Sequence, residues 1–376
     1  MLMKRISILL LILVLAMCFT ACQDSKSPQD QQPATDVEDP VQETAATYEL
    51  ALITDSTDIS NSDPFIQNAW AGLKKYAEEN EITYTCYVPA EVSDQGYVDA
   101  IGKAVNNGAQ LIVLPGSLFE VAAYDSQYRY PNTSFVLLDG QPRTADYKTY
   151  AIENNVNSIY FAEEEIGFLA GYSVVKEGYT KLGFIGGMAL PNIVRYGYGF
   201  ITGAKYAAAE DSLSGIEIKY TYSGEFSDPA EIQTIAGSWY NAGTEVIIGC
   251  GGNMLSGITA AAEPVGAYVV AVDTDRSEAS PTVITSCVKE AAAAVFNSIE
   301  NYYNGEFHGG IIDRLTVSAK GVSINMESSR FNNFTADEYD IICNKMTAGE
   351  ITIATDETVD SPTKLANEAV KVLLDK

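Results

Sequence analysis

Acidic and glycine residues recur where apolar runs end. Asp55 closes "YELALITD", Gly116-Ser117 follows "AQLIVLP", and Asp139-Gly140 follows "TSFVLL". Further along, Gly186-Gly187-Met188 follows "KLGFI", Gly251-Gly252-Asn253 follows "EVIIGC", and Asp273 closes "AYVVAVD". Carboxylates accept hydrogen bonds from hydroxyl and N–H groups. Glycine lets a backbone approach a bound molecule closely. A single glycine of this kind also serves as a plain tight turn, so the argument rests on the set. Its chemistry is polar recognition of a small molecule.

Chemistry beyond recognition has little support. The one histidine, His308, sits in the turn-like stretch Gly305–Gly310, so a histidine-based metal site or triad would rest on it alone. Cys86, Cys250, Cys287 and Cys343 form no CxxC pair and sit in apolar, strand-like settings. A free thiol there behaves as a small hydrophobe, and the four are expected to be unpaired. The segment "GCGGNMLSG" lies between a strand and a helix as a dinucleotide fingerprint would, but Met254 stands where the third glycine belongs. Neither GxxxxGK(S/T) nor GxSxG occurs. The residues point to binding without catalysis, with no metal and no cofactor.

Composition narrows the partners. Of 376 residues 47% are apolar and 19% charged, with a net charge of −27. Phosphate backbones demand clustered Lys and Arg, which excludes nucleic acid. The same balance excludes docking through a basic face on anionic lipid.

The elements that must position these residues follow a repeating order. Lys4 and Arg5 precede the apolar run Ile6–Phe19, a signal peptide too short to span a bilayer comfortably. Residues 23–46 offer almost nothing to bury and read as a disordered linker. From Tyr48 onward, apolar strand, polar loop and amphipathic helix alternate. Asp63-Pro64 opens a helix with proline in its first turn, and Trp70, Leu73 and Ala77 share one face of it. Helices are expected over 98–107, 163–176, 193–209, 229–241 and 254–263, the second opening on Glu163-Glu164-Glu165. The order recommences after Asn155. The fold class is therefore α/β, with two doubly wound Rossmann-like lobes joined by hinge strands. The expected first lobe is 47–153 with 276–310, and the second is 154–275 with 311–376. The expected crossings are Tyr150–Asn157, Asp273–Thr282 and Ile311–Ser318. In such sheets ligands bind beyond the C-terminal strand ends.

Four segments carry a family likeness: "LITDSTDISNSDPFIQNAWAGLKKY", "NNVNSIYFAEEEIGFLAG", "LGFIGGMALPNIVRYGYGFITGAKYA" and "VDTD" with "TSCVK". From about Tyr48 to Asn325 the chain resembles the basic membrane protein family, the purine-nucleoside-binding lipoproteins of ABC importers. Thr20-Ala21-Cys22 resembles a bacterial lipobox, with Phe19 replacing the usual aliphatic residue. That likeness implies a lipoprotein signal peptide over 1–22 and a lipid on Cys22.

The resemblance implies a type I periplasmic binding protein fold. Phe65 matches the aromatic that stacks on the nucleobase, and Asp55 an acid near the base. Asp273 and Lys289 match residues that hold ribose hydroxyls, and Gly252 a glycine at the ribose. Ser117 and Asn253, from the strand-end set, complete the expected ligand-binding residues. Several positions depart from the family pattern. Ile66 replaces an asparagine, Ile247 or Ile248 a second stacking aromatic, Val121 beside Glu120 an aspartate, and Arg276 a glutamine. The expectation is an extracytoplasmic lipoprotein held on the cell membrane by its N-terminal lipid. It would capture a purine nucleoside or related small polar metabolite by cleft closure and pass it to an ABC permease. A surface ligand sensor or adhesin of the same fold, with no permease, is the alternative.

Overall fold

The computed structural model describes residues 47–375 apart from Thr57, 225–228 and Asn253. The signal peptide, Cys22, the 23–46 linker and Asn253 therefore lie outside the described residues.

Six strands form the first sheet: β1 (Leu50–Ile53), β2 (Tyr84–Tyr87), β3 (Leu111–Pro115), β4 (Ser134–Leu138), β5 (Val156–Phe161) and β11 (Ile311–Leu315). Their order is β11-β5-β4-β3-β1-β2, and every pairing is parallel. Strand residues alternate between two apolar layers, as the period of two demands. Leu50, Leu52, Leu111 and Val113 face helices α1 (Pro64–Glu79) and α8 (Ala291–Tyr303). Ala51, Ile53, Ile112 and Leu114 face α2 (Asp94–Asn106) and α3 (Glu120–Arg129).

The second sheet contains β6 (Lys181–Gly186), β7 (Ile216–Tyr222), β8 (Val246–Cys250), β9 (Tyr268–Ala271), β10 (Val283–Lys289), β12 (Val322–Ile324) and β13 (Val370–Leu374). The order is β12-β10-β9-β8-β6-β7-β13, with β12 antiparallel to β10. Helices α4 (Glu163–Glu177) and α5 (Pro191–Glu210) cover one face, and α6 (Pro229–Asn241) and α7 (Met254–Ala262) the other. In each sheet the first strand lies between the second and the third. The crevice where strand order reverses is thus at β1/β3 in one lobe and β6/β8 in the other.

Two doubly wound lobes are present, but their boundaries differ from expectation. Strands β5 and β11, expected in the second lobe, pair in the first sheet, and β10, expected in the first, pairs in the second. The reason is local: the chain completes β5 against β4 before it leaves the lobe. The crossings fall at Ala162, Glu290 and residues 316–321. They run side by side, with Ala162 N donating to Leu315 O at 2.9 Å and Glu290 N to Gly321 O at 3.0 Å. Helices α3, α8 and α9 (Ala336–Thr347) stand outside the sequence expectation. Residues 326–375 belong to the second lobe, where β13 adds an edge beside β7. The Glu177 carboxylate ties this segment down, accepting from the backbone N–H of Asn332, Asn333 and Phe334 at 2.8, 2.8 and 2.9 Å. Cys86, Cys250, Cys287 and Cys343 are unpaired.

Helices α4 and α5 meet through glycine. A Cβ on Gly167 would collide with the Tyr196 carbonyl, and one on Gly171 with that of Phe200. Reciprocally, Gly199 lies on the Glu164 carbonyl and Gly203 on that of Phe168. The two backbones touch along this seam, which fixes the N-terminus of α4 against the first turns of α5.

Candidate functional site

The strand-end residues converge. Asp55, Phe65, Ser117, Gly252, Asp273 and Lys289 all line one cavity of about 160 Å³ between the lobes. Asn253 lies outside the described residues. Gly116 (φ 132°) and Gly252 (φ 44°) turn the chain at the ends of β3 and β8 in backbone conformations that L side chains rarely adopt.

Phe65 is placed by the start of α1. Pro64 occupies the first helical turn, and the N-capping Asp63 carboxylate accepts from Phe65 N at 2.9 Å. The Phe65 ring then meets Phe161, at the end of β5, edge to face, with centroids 5.8 Å apart. Asp55 lies just beyond β1, beside the hydrogen-bonded hydroxyls of Thr54 and Ser62. Burial raises its carboxyl above the ordinary value.

Lys289 is the charged centre. It ends β10 with 2% of its surface exposed. Its Nζ lies 2.5 Å from Asp139 Oδ2, 3.3 Å from Glu163 Oε1 and 4.0 Å from Asp273 Oδ1. The rings of Phe65, Phe161 and Tyr196 surround it, with centroids 5.4, 5.5 and 5.5 Å away. Burial opposes the ammonium charge, but the carboxylates of Asp139, Glu163 and Asp273 outweigh it and hold Lys289 above the usual lysine range. Burial pushes the carboxyls of Asp139 and Asp273 up as well, against the pull of Lys289. After burial, the neighbouring carboxylates also push Asp139 and Asp273 up, while the same carboxylates hold the Lys289 ammonium charged. Asp139 (φ 54°) and Asp273 (φ 72°) are both held in left-handed backbone, an uncommon state that aspartate tolerates better than most residues.

Three residues that line the cavity carry unused hydrogen-bonding capacity. Asp55 Oδ1, Asp139 Oδ1 and the Tyr196 hydroxyl are buried with no hydrogen-bond partner among the described residues. Buried polar groups are normally satisfied, so three orphans on the walls of one cavity favour a polar molecule there, although Tyr97, Ser126, Ser158, Glu164 and Asp356 carry others elsewhere. Two of the three are carboxylate acceptors, and they favour a molecule rich in hydroxyl or amine donors.

Sequence reasoning missed some of this. Asp139 stands in the strand-end set, but its pairing with Lys289 spans 150 positions and has no local signal. Glu163 reads as an acid favouring a helix N-terminus, yet it contacts both Lys289 and Arg195 Nε, the latter at 2.9 Å. Tyr196 is buried in the cavity wall. The next two glutamates of the run serve the crossings: Glu164 pairs with Arg314 of β11, and Glu165 accepts from Val317 N at 2.7 Å. Among the described residues no helix is long and apolar enough to cross a membrane.

Known proteins resemble this chain in sequence and fold. A family model described as "ABC transporter substrate-binding protein PnrA-like" matches residues 49–357. An ABC transporter nucleoside-binding protein of Lactococcus lactis is 28% identical over 302 residues, covering 74% of this chain and 82% of that protein. Basic membrane protein B of Borreliella burgdorferi is 33% identical over 245 residues, covering 63% of this chain and 69% of the other. The solved structure of an ABC transporter solute-binding protein from Aeropyrum pernix superposes with a TM-score of 0.70 at 22% identity, covering 84% of this chain and 96% of that one.

Proposed function

This chain belongs to the family of PnrA-like ABC transporter substrate-binding proteins, and from that premise we propose that it captures a purine nucleoside or a closely related small polar metabolite for an ABC importer. One observation carries the reading: an aromatic ring, a caged ammonium and unpartnered carboxylates line a single cavity between two lobes. Phe65 would stack on the heterocycle, a contact worth about 1–3 kcal/mol per base. Asp273 would accept from ribose hydroxyls, with Lys289 donating beside it. Asp55 and Asp139 would take further donors, and the backbone at Ser117 and Gly252 would close on the solute.

The role is capture without turnover. Asp55, Phe65 and Ser117 come from the first lobe, while Gly252, Asp273 and Lys289 come from the second. A solute touching both halves stabilises the closed arrangement over the open one, a population shift about the three crossings. The closed form would then present itself to a permease. A lipid on Cys22, with 23–46 as a tether, would keep the protein on the outer face of the cell membrane.

Thermal-shift screening of nucleosides, bases and pentoses tests the solute. A true ligand at about 100 times its dissociation constant adds about 2.7 kcal/mol of stability. Small-angle scattering with that ligand tests closure. A screen in which no nucleoside stabilises the protein would end the reading, and a ligand that binds without compaction would end the closure mechanism.

A further inference from the structure

A second, larger compartment opens beside the cavity that holds Phe65, Asp273 and Lys289. Its volume is about 530 Å³ against about 160 Å³ for the inner one. The two adjoin, sharing Ser117, Leu118, Asp139 and Asn192 as walls. Phe65, Asp55, Gly252, Asp273 and Lys289 do not line the outer space. The inner volume lies below the roughly 300–1,000 Å³ of ordinary small-molecule pockets, and the two together fall within it.

The outer walls have a consistent chemistry. The Arg143 guanidinium lies 3.5 Å from the centroid of the Tyr147 ring and is held by Glu120 Oε2 at 2.5 Å. Across the space, the Arg195 guanidinium lies 5.6 Å from the Tyr160 ring and is held by Glu163 at 2.9 Å. Two tyrosine–arginine pairs thus line one volume, each arginine held by a carboxylate. Tyr147 and Tyr150 are 54% and 48% exposed. Their loop is nonetheless built, with Arg143 bridging Tyr150 and Thr144 N donating to Thr149 O at 2.9 Å. Aromatic rings held in place while exposed supply contact area at low entropic cost. The walls offer hydroxyl and guanidinium donors, whereas the inner orphans are mostly acceptors. Because Glu120 and Glu163 neutralise the two arginines and Asp94 adds a further negative charge, the compartment carries no surplus positive charge for a phosphate.

We propose that this outer compartment is a second subsite, which receives a planar, neutral, acceptor-bearing group attached to the solute held by the inner one. Resting on the nucleoside reading, the ligand class is a nucleoside extended by a further ring or acyl group.

Isothermal titration with adenosine, N6-benzoyladenosine, 5′-O-benzoyladenosine and adenosine monophosphate tests it, on the wild-type chain and on Tyr147→Ala and Tyr150→Ala. One benzoylated compound is expected to bind at least tenfold more tightly than adenosine. Both variants should remove most of that gain while leaving adenosine within about twofold. The proposal is overturned if neither benzoylated compound outperforms adenosine, if the gain survives both variants, or if the monophosphate gains instead. If adenosine fails to bind but a benzoylated compound binds through Tyr147, the outer subsite stands and the reading of the parent nucleoside as solute falls. If none of the four binds, both fall.

Discussion

Replacing Lys289 by methionine probes the charge balance at the centre of the site. The substitution keeps an unbranched side chain of similar reach and removes the ammonium. Asp139 and Asp273 then lose their ion-pair partner, while Glu163 keeps only Arg195. Removing one partner of a buried ion pair costs about 3–5 kcal/mol. At about 2 °C per kcal/mol for a chain of this size, the melting temperature of the ligand-free protein should fall by roughly 6–10 °C at pH 7.5. The pH dependence has a definite sign. Burial lifts Asp139 to about 6 and Asp273 to about 7, both above the free value of 3.8. A carboxyl raised in the folded state favours folding below its free value, and that contribution is lost as pH rises through the raised value. Without the ammonium both groups rise further, so the deficit of the variant should be largest above pH 7 and should shrink toward pH 5. Thermal denaturation at pH 5 and pH 7.5 reads this directly. Adding Asp139→Asn should recover at least half of the loss at pH 7.5. A deficit equal at both pH values, with no recovery in the double variant, would refute the charge argument and leave Lys289 as a packing residue.

Three further outcomes are expected. Phe65→Leu keeps an apolar side chain but loses the ring, and should weaken nucleoside binding about tenfold by titration calorimetry, within the range of one lost stacking contact. Gly171→Ala should destabilise the fold by about 1–3 kcal/mol, read as a lower melting temperature, because its methyl group meets the Phe200 carbonyl. Nucleoside binding should release protons and tighten from pH 5.5 to 7.5, since a solute donating to Asp273 favours its carboxylate form. Calorimetry in two buffers of different ionisation enthalpy measures this, and proton uptake would show that Asp273 is not an acceptor for the solute.

Much of the cavity lining is legible in the sequence because topology does the work. A residue that ends a parallel strand is delivered to one rim of its sheet, and Asp55, Ser117, Gly252 and Asp273 are found there for that reason. Phe65 is similarly legible, since Asp63-Pro64 fixes where its helix starts. Long-range partnerships leave no such trace. Lys289 meets Glu163 across 126 positions, and three consecutive glutamates look alike as acids of a first turn. Only the packed fold distributes them to Lys289, to β11 and to the third crossing. The lobe boundaries were hidden for a related reason. "NVNSIYF" reads as a strand, but which sheet it joins depends on its neighbour β4 and not on its own composition.

The glycine seam between α4 and α5 has a mechanical consequence. At Gly167, Gly171, Gly199 and Gly203 no side chain separates the two backbones, which leaves little room to slide. The two helices behave as one slab, and that slab carries Glu163, Arg195 and Tyr196 together. Any opening or shutting of the molecule would leave the spacing of these three groups unchanged. If the lobes close as proposed, an arriving solute would meet a jaw whose teeth keep a fixed pitch, and the give would fall in three thin ribbons of chain at Ala162, Glu290 and 316–321.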